Sequence, residues 1–153
     1  MSSMRVPCLW SRRSTWAAGM LSAALLSGCS SGASSEQLLT PAQDALSAVS
    51  SAVLALDLLD AGRSTSAATQ VMLQDAVDQL ASDEQTVLGL TVSSPGQEPT
   101  KTAVVEAIHR AARAGGEAED AVATSTSTRA GRDALQDATT SLTRLTQNLQ
   151  AAG

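Results

Sequence analysis

Thr40-Pro41-Ala42-Gln43-Asp44-Ala45-Leu46-Ser47-Ala48-Val49-Ser50-Ser51-Ala52-Val53-Leu54-Ala55-Leu56 decides the fold of this chain. Counting from Leu39, the residues Leu39, Ala42, Leu46, Val49, Val53 and Leu56 recur at alternating spacings of three and four. That rhythm puts them on one face of an α-helix. Pro41 suits the first helical position, and Thr40 with Gln43 makes a capping box, so the helix is expected to start at Thr40. Gly62 can end it by adopting a left-handed backbone.

The same period continues to the C-terminus. A second helix is expected to restart near Ser64 to Ser66, with Leu73, Ala76, Val77, Leu80, Val87 and Leu88 on its apolar stripe. Ser82-Asp83-Glu84-Gln85 reads as a further capping box, which predicts a kink or restart there. Val92 to Pro99 is a loop marked by Pro95-Gly96. A third helix begins at Pro99 or Thr100 with the stripe Val104, Ile108, Ala111, Gly115, Ala118 and Val122, whose small residues permit close approach to a neighbour. Thr124 to Thr128 is a polar turn. A fourth helix follows, with Leu135, Ala138, Leu142, Leu145 and Leu149 inward. No segment has the alternation of a half-buried strand. The expectation is all-α, an up-down-up-down four-helix bundle over 39–153. The runner-up is a pair of long hairpins completed by a second chain as a homodimer.

Ahead of the bundle, Arg5, Arg12 and Arg13 precede an apolar run from Trp16 to Leu26 of about 11 residues. A spanning helix needs about 20. Basic flank, short apolar run and small residues describe a secretory signal peptide, 1–28. The run ends in Leu26-Ser27-Gly28-Cys29, which resembles the lipobox of bacterial lipoproteins at all four positions. The resemblance implies a diacylglyceryl thioether on Cys29 and peptidase cleavage between Gly28 and Cys29. Two acyl chains on one residue give stable membrane anchoring. Residues 29–38 then read as the lipidated cysteine and a flexible tether. Ser11-Arg12-Arg13 has the look of a twin-arginine signal, but Ser14-Thr15-Trp16 lacks its apolar pair, and the general secretory route fits better. The expected location is the extracytoplasmic face of the cell membrane.

All 15 acidic residues lie beyond Cys29, against only seven basic ones, because three of the 10 sit in the leader. Such a balance excludes nucleic acid as a partner and adhesion to anionic lipid by charge. Both tryptophans are in the leader, and the chain has no Phe or Tyr. Ile108, Lys101 and Asn148 are single occurrences beyond it. This avoidance of AT-rich codons resembles a high-GC genome, and the whole resembles the small helical lipoproteins of actinobacteria.

Chemistry-bearing motifs are sparse. Glu106-x-x-His109 has the spacing of a di-iron half-site. His109 is the sole histidine, and both residues fall off the stripe centred on Ile108, so it reads as a solvated histidine with no metal. No nucleophile elbow, phosphate loop or zinc motif appears. Asp57, Glu84 and Glu119 fall near the middle of their stripes, where an unpaired carboxylate is costly. Asp57 and Glu119 point to the membrane-distal tip, with Arg63, Arg129 and Arg132. Salt bridges between helix ends are the plain reading of this cluster, and a site for a cationic group is the sharper one. Thr124 to Thr128 reads as a plain turn or as an O-glycosylated one. Leu54 and Leu58 give the first helix a second apolar face, either buried or meeting another protein. These readings converge on a non-catalytic, cofactor-free envelope protein that acts by protein contact. A ligand-binding lipoprotein, with a site between helices or at the tip, is the alternative.

Overall fold

The computed structural model describes residues 35–92 and 94–152. The signal peptide, Gly28, Cys29 and tether residues 30–34 lie outside them. Four helices fill most of this length: α1 (Ser35–Asp60), α2 (Ser66–Gly89), α3 (Glu98–Ala123) and α4 (Arg129–Ala152). Each packs on the next, α4 closes against α1, and α1 also touches α3 across the core. Neighbours run antiparallel. His109 of α3 meets Glu84 of α2, whereas Gly115, further along α3, abuts Val77, earlier in α2. The described residues form a four-helix bundle with a core contained in one chain.

Helix ends follow local chemistry. Gly62 has φ +66°, and Arg63 N–H donates to the Leu58 carbonyl while Gly62 N–H donates to Leu59, a Schellman close of α1. Thr65 caps α2 by accepting a hydrogen bond from Ala68 N–H. Pro99 sits in the first turn of α3, where its missing donor costs nothing. Lys101 reaches back to donate to the Leu88 and Leu90 carbonyls, placing the lysine charge at the C-terminal end of α2.

Three expectations need correction. α1 begins at Ser35, not Thr40, so residues 35–38 are helix rather than tether and Pro41 lies inside the helix. Without its N–H, Pro41 leaves the Gln37 carbonyl unbonded by the helix. The extra turn compensates by burying Leu38 completely. Second, the centre of the α1 stripe is one residue off. Leu38, Ala42, Ala45, Val49, Ala52 and Leu56 are fully buried, whereas Leu39, Leu46 and Val53 are half-buried at its edge. A helix flanked on both sides by α2 and α4 buries a wide arc, which here includes Ala42, Ala45, Ala48, Ala52 and Ala55. Third, α2 runs unbroken through Ser82 to Gln85. Its buried residues include Thr69, Leu73, Ala76, Leu80, Asp83 and Val87, which leaves Val77 half-buried and Leu88 48% exposed.

Glycine and alanine set the helix spacing. A Cβ on Gly115 would lie 2.7 Å from Val77 Cγ2, and one on Gly131 would lie 2.8 Å from Ala118 Cβ and 3.0 Å from its Cα. α1 is long and apolar enough to cross a membrane. In the bundle one face of that helix packs against the neighbouring helices, while Leu54 stays exposed.

Candidate functional site

The turns after α1 and after α3 meet at one end, where Leu59, Asp60, Ser66 and residues 125–129 line a shared cleft. Arg132 rises from the first turns of α4 into this end. Its Nε lies 3.3 Å from Asp57 Oδ1, and its Nη2 donates to Asp60 Oδ2 and to the Leu56 carbonyl. One guanidinium thus ties α4 to the last turn of α1. Of the anticipated tip residues, Asp57 and Arg132 come together. Arg63, Arg129 and Glu119 form no ion pair among the described residues. Asp60 was not anticipated, although it follows Asp57 by one turn on the same face. Both tip carboxylates are half-exposed.

Asp57, Glu84 and Glu119 do not occupy the centres of their stripes. Asp57 faces solvent beside Arg132, and Glu119 is half-buried. Glu84 lies at the α2–α3 edge, its Oε1 3.3 Å from His109 Nδ1. His109 is 58% exposed and opposes Glu84 rather than its own helix's Glu106.

The central carboxylate is Asp83, which reading the sequence missed. It is 5% exposed and stands between Leu80 and Val87 on the buried face of α2. Gln79 donates to its Oδ1 at 2.9 Å. Its Oδ2 is buried with no hydrogen-bond partner among the described residues. Burial raises its pKa above 3.8, the Gln79 bond opposes that shift, and the charge of Asp44 on α1 adds to it. By spacing, 76, 80, 83 and 87 continue one stripe as well as 77, 80, 84 and 87 do, and the sequence reading placed Glu84 on it.

A surface groove runs between α1 and α2, with Gln79 in its wall. Asp44, Ser47, Ala48 and Ser51 form one wall, and Met72, Asp75, Ala76 and Gln79 the other, enclosing about 590 Å³. No basic side chain lines it. Gln79 belongs both to the groove wall and to the Asp83 hydrogen bond, so it separates the buried carboxylate from the open groove. Beyond Ser51 the α1 ridge continues into Leu54, 53% exposed. On α2, Val71 is 61% exposed. The groove lining itself carries Asp44 and Asp75 and no basic residue.

A second cleft lies between α3 and α4, floored by Ala107, Ala114, Ala134 and Ala138. Arg110 and Arg113 stand over it with Glu117 and Asp137, and Arg113 pairs with Glu117 at 3.4 Å. Its charges are mixed. No group of three or more metal-ligating side chains gathers among the described residues. The chain matches no family model, no curated protein and no solved structure.

Proposed function

We propose that this chain is a lipid-anchored, non-catalytic protein of the bacterial cell envelope that works by binding another protein. The observation that carries the anchor is Leu26-Ser27-Gly28-Cys29, placed directly after a short apolar run behind three arginines. A thioether diacylglyceryl group on Cys29 holds the bundle at the extracytoplasmic face of the membrane. The two turns at the Arg132 end of the bundle then lie away from the bilayer, because α1 starts next to the anchor and leads there. Contact with a protein is supported by Leu54 on α1 and Val71 on α2, large apolar side chains left exposed.

Cell fractionation with metabolic labelling by an alkyne fatty acid tests the anchor. The wild-type chain is expected in the membrane fraction, carrying label, with the leader removed. Cys29→Ala is expected to lose the label and keep the leader. Label retained by Cys29→Ala, or an unmodified Cys29 thiol in membrane-extracted wild type, would overturn the reading.

A further inference from the structure

We infer that the α1–α2 groove is the docking surface for a basic amphipathic helix of a partner protein, one cationic side chain of which displaces the Gln79 amide and pairs with Asp83. The inference rests on the protein-contact reading above and gives it a place and a chemistry.

Asp44 and Asp75 line the groove, Asp83 accepts a hydrogen bond from Gln79 of its wall, and the lining holds no lysine or arginine to balance them. Four carboxylates elsewhere in the bundle meet a basic side chain of this chain. Asp57 and Asp60 have Arg132, Glu84 has His109 and Glu117 has Arg113. Asp83 is the most deeply buried carboxylate among the described residues, and it has only the neutral Gln79 amide on one oxygen.

Such a group is expensive for the fold. Removing a carboxylate from water without pairing it destabilises, and a leucine in that position would pack between Leu80 and Val87. A cation supplied from outside would satisfy Oδ2. Gln79 is the movable part, a flexible side chain that is exposed on its other face. A groove between two helices accepts a third helix by side-chain ridges. The charge on the groove specifies the partner's basic face.

The test uses the full-length chain in nonionic detergent, 15N-labelled. The probe is a synthetic 18-residue helical peptide with lysine and arginine on one face and leucine on the other. A control peptide carries glutamate in place of each basic residue. Amide shifts from the basic peptide are expected along residues 44–54 and 71–83, with affinity falling as salt rises. Asp83→Asn is expected to weaken binding about tenfold while making the chain more stable, a pairing that a purely structural role would not produce. Asp44→Asn with Asp75→Asn is expected to weaken it as well. Equal affinity for Asp83→Asn, equal binding of the control peptide, or shifts confined to the α3–α4 face would overturn the inference. A photocrosslinker at Ser47 and another at Ser141, used in cells, separates the two levels. Adducts from Ser141 alone leave protein contact standing and remove the groove. Adducts from neither remove both.

Discussion

The side-chain amide of Gln79 donates a 2.9 Å hydrogen bond to Oδ1 of Asp83, one helical turn along α2, and leaves Oδ2 buried and unmatched. This pair places a carboxyl group on the buried face of α2. Neutralising it is expected to help folding. Asp83→Asn keeps the acceptor for Gln79 and removes the charge, so urea unfolding at pH 8 should show a gain of about 1 kcal/mol or more.

The same group fixes the sign of a pH effect. Its pKa is raised in the folded state, by burial first and by Asp44 in addition. The folded chain therefore holds this proton more tightly than the unfolded one. The contribution of Asp83 to stability is full below the unfolded value near 3.8 and is lost as pH rises through the folded value. Relative to Asp83→Asn, the wild-type chain should regain stability as pH falls from 7 toward 4. Parallel stability profiles for the two chains would contradict this.

Three glycines separate propensity from packing. Nothing lies within 4 Å of a Cβ added at Gly116, so Gly116→Ala should stabilise by about 1 kcal/mol. At Gly131 the new methyl meets the Ala118 backbone, and α4 must move away from α3. Gly131→Ala should cost about 2 kcal/mol. Gly115→Ala meets only a half-buried valine side chain and should fall between them. Thermal melts of the three variants rank them.

Arg132 and Arg63 should behave differently despite standing at the same end. Arg132→Met removes the tie between α4 and the last turn of α1 and should cost about 1 kcal/mol at low salt, less in concentrated salt. Arg63→Ala breaks no ion pair among the described residues and should leave the melting temperature unchanged.

Pro41 lies in the second turn of α1, where an alanine would restore the bond to the Gln37 carbonyl. Proline in a helix interior costs about 3 kcal/mol relative to alanine. Part of that is offset by the buried ring, so Pro41→Ala should stabilise by about 1 kcal/mol in denaturant unfolding.

The fold was largely legible. Gly62 and Pro99 punctuate the chain by backbone chemistry that acts within a few residues, and the α3 and α4 stripes carry their burial in their spacing. The site was less so. Asp83 and Glu84 are adjacent, and periodicity alone makes either one the inward residue. Asp60 entered the tip cluster only because Arg132, distant along the chain, reached it.

The sequence by itself determined four amphipathic helices, the turns between them, the acidic character of the bundle and the motif around Cys29. Those are properties of neighbours along the chain, where three-and-four spacing, glycine torsion and side-chain charge act locally. Only the tertiary structure decided which edge of each stripe became its centre, which carboxylate was buried and which groove stayed open. Depth on a helix depends on how closely two other helices approach it, and here that approach is set by contacts such as Gly131 against Ala118 and Gly115 against Val77.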